Sequence, residues 1–436
     1  MSRDQSSPID LVGIGFGPAN LAVAIAVEEA NAEGAAGATG GLQARFFEKK
    51  EKFAWHPGML LPGATMQVSF LKDLVTQRNA QSSYSFLNYL AEQDRLQHFI
   101  NLQDFFPLRA EFHDYLKWSA ARVSAPVDYG TEITGVTWRD GCFEVTLPSG
   151  EVVRANNLSL GGGLRAKLPA GVTAGRRVVH NHRVLDHLAE LPEHKHGRFV
   201  VVGAGQSAAE VAAHLHSETD ATVHAVFAKY GYTPADDSPY ANRVFDSTAV
   251  DEYFGASPAW RERMLQYHRS TNYSAVDPAL INDLYRREYA ERVSGDRRYF
   301  VQGSSEVVDV TETDDAATVT VRSHLTGEVS ELVCDAVIFC TGFEPTPVSA
   351  MLGGLAGHCH EDVHGRPMLD RAYRLETDDE ITGQIFVHGY SEHTHGLTST
   401  LLSNLAVRAG EIVDAIDEHR QPAGVPQDWT AAVSSG

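Results

Sequence analysis

Two glycine clusters are the residues whose type and spacing point most directly to chemistry. Gly13, Gly15 and Gly17 follow a short apolar run, IDLV, and lead into a helical pattern, PANLAVAIAVEEA. Glycines between a strand and a helix let the backbone approach a pyrophosphate, which the positive helix end favours. Pro18 stands where a strict G-x-G-x-x-G motif has its third glycine, so the strand and helix around the turn carry the reading. Glu48 ends the next strand, ARFFE, where a carboxylate can accept hydrogen bonds from a ribose diol. It lies beyond the usual ~20 residues from the glycines, because the surface loop AEGAAGATGG intervenes.

The arrangement recurs in RFVVVGAGQSAAEVAAHLHS, where Gly203, Gly205 and Ala208 take the permitted G-x-G-x-x-A form. The next strand, TVHAVFAKY, has no acidic residue at its end but carries Lys229. It lacks the group that would repel a 2′-phosphate, so NADPH is expected over NADH. Two dinucleotide sites imply that electrons pass from a nicotinamide to a flavin. A disulfide reductase would need a redox cysteine pair close to the first turn, and the first cysteine is Cys142, which disfavours that class.

The elements that must position these groups read as an α/β chain with two Rossmann-like dinucleotide-binding domains and a smaller, largely helical substrate region. Residues 1–165 and 340–436 are expected to form the flavin domain, 190–230 and 298–340 the nicotinamide domain, and 231–297 the helical region. From Phe53 to Arg78 the chain is rich in aromatics, Pro and Gly without periodicity, and a long irregular run of this kind often builds a site. SSYSFLNYLAEQ and RAEFHDYLKWSAARV read as amphipathic helices, and EITGVTW, CFEVTLP, GSSEVVDVTE and ATVTVRS as strands. LVCDAVIFCTGFEP reads as one apolar strand, and HGLTSTLLSNLAVRAGEIV as one helix.

The formal charge of −21 disfavours nucleic acid as a partner. Cys142, Cys334, Cys340 and Cys359 show neither metal-type pairing nor scaffold density, which suits a reducing cytoplasm. The start, MSRDQSSPID, has no signal-peptide pattern, and glycines interrupt the apolar stretch Leu11–Val27; a cytoplasmic protein outside the membrane is expected. His180 with His182, His358 with His360, and His393 with His395 form H-x-H pairs without an identifiable third ligand, so no metal is expected. Glu312, Asp314 and Asp315 read as solvated surface.

The segments GFGPANLAVAIA, FFEKKEKFAWHPGMLLPG, MQVSFLKDLVTQRN, VVGAGQSAAE, DDSPYANRVF, STNYS, CTGFEP and HTHGLTSTLLSNLAVRAGEI follow one another in an order that resembles the flavin-dependent N-hydroxylating monooxygenases of siderophore biosynthesis. The L-ornithine N5-monooxygenases are the nearest group, and the resemblance covers nearly the whole chain. It implies FAD contacts at Gly13, Gly15, Gly17, Asn20, Glu48, Trp55, His56, Gln67, Thr400, Leu401 and Leu402. It implies NADPH contacts at Gly203, Gly205, Gln206, Ser207 and Lys229, with Ala228 where relatives tend to place an arginine. The amino-acid substrate would be held by Lys72, Asn242, Asn272 and Ser403, with Gln67 and Asn272 closest to the chemistry. Lys72 suits an α-carboxylate, which a diamine does not have. The implied reaction uses NADPH, O₂ and a flavin hydroperoxide to convert L-ornithine to N5-hydroxy-L-ornithine in a homo-oligomer, a homotetramer in many relatives. L-lysine N6-hydroxylation, diamine N-hydroxylation and uncoupled NADPH oxidation are the alternatives.

Overall fold

The computed structural model describes residues 7–34, 40–191 and 196–420. The expectations for the chain's start and end, and for part of the Ala/Gly-rich loop, fall outside these residues.

The opening segment folds as strand, glycine turn and helix. Ile9–Ile14 is a strand with its last four residues buried, and Pro18–Glu33 is a helix with Gly17 as N-cap. Proline fits there because the first helical N–H has no intrahelical partner. Leu21 to Val27 are buried throughout, since the helix lies between the sheet and the C-terminal helix Leu405–Arg420.

The first sheet runs Val127–Tyr129, Ala44–Glu48, Ile9–Ile14, Val152–Leu160, Cys142–Thr146 and Gly135–Arg139, and Gln384–Val387 pairs with Val152–Leu160 from outside this path. The pairs within the first four strands, and the Gln384–Val387 pair, are parallel; the remaining two pairs are antiparallel. Register places Ile14 beside Phe47 and Leu160, and Leu160 beside Val387. The first glycine turn, Glu48 and the chain after Val387 therefore emerge at one edge, the carboxyl ends where open α/β sheets bind ligands.

The second sheet is parallel, in the order Tyr299–Gln302, Thr222–Val226, Arg198–Val202, Ala336–Phe339, Val178–His180. It takes Val178–His180 from ahead of the expected 190–230 segment. Helix Gln206–Glu218 packs on one face, and Ala317, Val319 and Val321 of a three-stranded antiparallel sheet cover the other. Helices Ser247–Gly255, Pro258–Asn272 and Pro278–Ser294 occupy most of the interval between Val226 and Tyr299.

Two expectations are corrected. LVCDAVIFCTGFEP is not one strand: Val329–Cys334 joins the antiparallel sheet and Ala336–Phe339 the parallel one. Asp335 makes the break, its carboxylate accepting from the Arg198 N–H at 2.7 Å. HGLTSTLLSNLAVRAGEIV is not one helix, because Gly396 at φ +79° ends the short helix Glu392–His395. Two tight turns, Leu397–Thr400 and Leu402–Asn404, precede the helix that starts at Leu405.

Buried histidines give the fold a pH dependence. Burial, opposed by the hydrogen bond to Gly342, holds His180 down at about 4, and burial holds His395, stacked on Tyr373 at 4.1 Å, down at about 3. An unfolded chain binds these protons nearer pH 6.5, so stability falls as pH drops from about 6.5 towards 4. The melting temperature is expected to fall by roughly 5 °C or more between pH 7 and pH 5. A flat profile by calorimetry would remove this assignment.

Candidate active site

The first glycine turn is built by close packing. A Cβ at Gly13 would lie 2.1 Å from the Phe46 ring, and one at Gly15, where φ is +82°, would lie 2.4 Å from the Gly161 carbonyl oxygen. A Cβ at Gly17 would meet nothing within 4 Å, which leaves open space over the helix N-terminus. Asn20 is fully buried and donates to the Gly15 and Ser159 carbonyls at 2.6 and 3.2 Å. It shapes the turn on which the expected cofactor contacts sit. Glu48 accepts from the Phe16 and Lys50 N–H groups at 2.8 and 3.0 Å, so its carboxylate is fixed beside the turn. This rigid cradle, with a carboxylate at the strand end, fits a dinucleotide such as FAD.

A cleft of about 1560 Å³ lies between the two sheets and the helical region, larger than the ~300–1,000 Å³ usual for one small ligand. Trp55, His56, Gln67, Lys72, Asn242, Asn272, Thr400, Leu401, Leu402 and Ser403 line it, together with Gly203, Gly205, Gln206, Ser207 and Lys229. Gly13, Gly15, Gly17, Asn20 and Glu48 stand outside it, around the first turn.

Irregular backbone carries much of one wall. The segment from Phe53 to Arg78 holds one short 3₁₀ helix, Pro57–Met59, among a series of turns, and is fixed by side chains. Phe70 stacks on Phe105 at 5.9 Å and meets Phe99 edge-on at 5.2 Å. Buried Asp73 accepts from the N–H groups of Val75, Thr76 and Phe86 at 3.0, 2.6 and 2.8 Å. Burial nonetheless raises its pKa, partly offset by these bonds. Asp73 thereby ties down the residue next to Lys72.

Lys72 is half-buried with its ammonium 6.0 Å from the Phe245 ring centre. Burial lowers its pKa, and the nearby Asp246 raises it. Among the described residues no carboxylate forms an ion pair with it within 4.0 Å, and a partly desolvated ammonium attracts an incoming carboxylate more strongly than one in water. His56 sits at φ 45° against Trp55, ring centres 5.1 Å apart. Burial, then the nearby Arg109, pushes His56 down to about 4, so it is neutral at pH 7 and serves as a donor or acceptor without charge.

Across the cleft, Asn272 ends its helix and Ser403 lies buried in the turn Leu402–Asn404. Asn242 is exposed, its amide donating to the Asp237 carbonyl at 2.8 Å. The Tyr273 hydroxyl donates to Glu392 and also interacts with Thr400. Burial is the main force keeping that phenol protonated, with Glu392 adding to it. Sequence reading missed this pair, although Tyr273 follows Asn272 directly and Glu392 precedes the H-T-H-G run.

At the second turn Gly203 has φ +139°, and a Cβ there would lie 2.5 Å from the Cys340 carbonyl oxygen. Ser207 lies in the first turn of the helix that follows. Gln206, which lines the cleft at the helix N-terminus, also braces the turn: its side-chain amide nitrogen donates to Glu210 at 2.9 Å and its amide oxygen accepts from the Asp277 N–H at 2.9 Å. Lys229 lies past the end of its strand and donates to Thr233 Oγ1 and the Ser274 carbonyl at 2.6 and 2.7 Å, leaving one ammonium proton for a phosphate.

The H-x-H pairs have other partners. His180 contacts His182 at 3.1 Å and the Gly342 carbonyl at 2.8 Å, and His393 contacts the Pro367 carbonyl at 2.9 Å. His358 gathers with Asp378 and Glu380, their ligating atoms within 4.8 Å of one another, but the three are outside the cleft. Glu312 is exposed yet accepts from the Arg177 N–H at 2.6 Å, so it is not surface alone. No helix among the described residues is long and apolar enough to cross a membrane.

The model of the family described as L-lysine 6-monooxygenase/L-ornithine 5-monooxygenase matches residues 7–345. An ornithine N-hydroxylase of Kutzneria sp. 744, solved with reduced FAD, NADP⁺ and L-ornithine, is 42% identical with a TM-score of 0.90, covering 95% of this chain and all of that one. The L-ornithine N(5)-monooxygenase of Pseudomonas aeruginosa is 36% identical over 95% of this chain and 94% of its own. A structure of L-lysine 6-monooxygenase from Pseudomonas syringae is 31% identical with a TM-score of 0.82, covering 95% of this chain and all of that one. With both glycine turns, the cleft and the matched length in agreement, the chain belongs to the L-lysine 6-monooxygenase/L-ornithine 5-monooxygenase family.

Proposed function

We propose that this protein is an FAD- and NADPH-dependent monooxygenase that hydroxylates the side-chain amine of L-ornithine, giving N5-hydroxy-L-ornithine. The observation that carries the reading is the single cleft in which Lys72, Asn242, Asn272 and Ser403 share walls with Trp55, Gln67 and the second glycine turn. Bound FAD would supply the redox chemistry, taking a hydride from NADPH and delivering one oxygen atom of O₂ to the amine.

The chain's own residues bind and orient. Lys72 pairs with the α-carboxylate, while the amides of Asn242 and Asn272 and the Ser403 hydroxyl can satisfy both carboxylate and ammonium. This grip leaves the side-chain amine free to point towards the wall formed by Trp55, Gln67 and Leu401. A primary ammonium has an ordinary pKa of about 10.4, and a cleft that excludes water favours the neutral, reactive amine. Gln67 and Asn272 face the reacting groups as hydrogen-bonding amides, and no side-chain nucleophile is required. The product suits hydroxamate siderophore assembly in the cytoplasm, and a homotetramer is the proposed assembly.

Purified protein given FAD, NADPH and O₂ is tested with L-ornithine, L-lysine and putrescine, following hydroxylamine and hydrogen peroxide in parallel. Hydroxylamine should form from ornithine, with putrescine inert because it has no carboxylate for Lys72. Hydroxylamine from lysine in preference would move the substrate by one methylene, worth only about 1–3 kcal/mol in a pocket. Peroxide without hydroxylamine for all three would overturn the reading.

A further inference from the structure

The second glycine turn is tied to the flavin side of the cleft by a partly buried chain of polar side chains. Glu210, 7% exposed, lies one helical turn after Gln206 on Gln206–Glu218. Its carboxylate receives both terminal nitrogens of Arg109, each at 2.8 Å, and the Gln206 amide at 2.9 Å. Arg109 opens the helix Arg109–Ala120 and also donates to the Met59 and Thr65 carbonyls at 3.2 and 3.3 Å, within the irregular segment that carries His56, Gln67 and Lys72. On the other side, the Gln206 side-chain oxygen Oε1 accepts from the N–H of Asp277, the N-cap of Pro278–Ser294.

We infer that Arg109, Glu210 and Gln206 form a latch that sets the nicotinamide unit in register with the flavin unit, and that Glu210 is its central positioning residue. The inference rests on reading the two turns as the flavin and nicotinamide sites. Hydride transfer needs the donor carbon of the nicotinamide and the accepting nitrogen of the flavin at about 3–3.5 Å, and a misplacement of about 1 Å can cost a hundredfold in rate. Those two atoms would belong to cofactors held by different sheets, so their alignment depends on what joins the sheets. A bidentate guanidinium–carboxylate pair supplies direction as well as attraction. It grips the same helix whose N-terminus begins at the second turn, and its other donors grip the wall expected to face the flavin. Lys72, Asn242 and Ser403 are not part of the chain, so substrate binding should be separable from it.

The test is anaerobic reduction of bound flavin by NADPH, read from the loss of flavin absorbance without any amine substrate. Glu210→Ala is expected to slow reduction at saturating NADPH by about tenfold to a hundredfold. Flavin content should stay full and the apparent KM for ornithine should stay within about twofold. Arg109→Ala should behave alike, and the double variant should be little worse than either, since both remove one interaction. Glu210→Gln, which keeps the shape and the contact with Gln206 but loses the charged pairing, should fall between; it carries the same comparison if Glu210→Ala does not fold. Wild-type reduction rates in variants with full flavin, additive losses, or a parallel loss of flavin content and ornithine affinity would each overturn the latch. A wild-type flavin that NADPH cannot reduce would instead overturn the functional reading.

Discussion

Lys72→Ala is expected to raise the apparent KM for L-ornithine about a hundredfold, because a charge-assisted contact to a carboxylate in a partly dry site is worth about 1.5–3 kcal/mol. The half-buried ammonium stands near the Phe245 ring and Asp246, with the Asp73 knot beside it. The apparent KM for NADPH should move less than about twofold, since Lys72 lies apart from the second glycine turn in sequence and in fold. Steady-state kinetics with each substrate varied in turn make the comparison. Equal increases for both would remove Lys72 from the carboxylate site.

Gly15→Ala is expected to leave the purified protein with less than about a tenth of its flavin. Two costs coincide at this position. The backbone sits at φ +82°, where an L side chain costs roughly 1–2 kcal/mol, and the new Cβ would lie 2.4 Å from the Gly161 carbonyl oxygen. The clash is with backbone at the end of a central strand, so relief requires the turn itself to move, and the turn is the proposed pyrophosphate cradle. Gly34→Ala, whose Cβ would meet nothing within 4 Å, should keep its flavin and serves as the control. Flavin absorbance relative to protein after purification decides it. Full occupancy in Gly15→Ala would mean that the cofactor does not depend on this turn.

What could be read from sequence was whatever local chemistry determines. The glycine turns at Gly13 and Gly203, the strands before them and the helices after them follow from short-range patterns of apolar residues and glycines. The helix beginning at Leu405 was legible, but its start was placed too early, because Leu, Ser and Thr between Gly396 and Asn404 satisfy a helical pattern while the backbone forms two tight turns. The break at Asp335 was hidden for a related reason: one polar residue between two apolar runs reads as part of a buried strand, and the Arg198 N–H that donates to its carboxylate is 137 residues away in sequence.

The site shows the same division. The family resemblance is what pointed Lys72 and Asn272 to an amino-acid head group, and nothing local reveals that Asp73 anchors the loop or that Tyr273 meets Glu392 across 119 positions. The place of Gln206 after a glycine pair marks it as a candidate phosphate ligand, whereas the bonds of its amide to Glu210 and Asp277 have no local sign. Arg109 and Glu210, 101 residues apart, carry no motif at all. Their pairing exists only once the two sheets are set against each other.

The central claim is that this cleft transfers one atom of O₂ to the side-chain nitrogen of ornithine. The most direct measurement runs the reaction under isotopically heavy O₂ and weighs the products by mass spectrometry. Ornithine should gain one heavy oxygen, placed on its side-chain nitrogen by fragmentation, with NADPH consumed in step. Ornithine recovered unchanged, with all the label in hydrogen peroxide, would contradict the account.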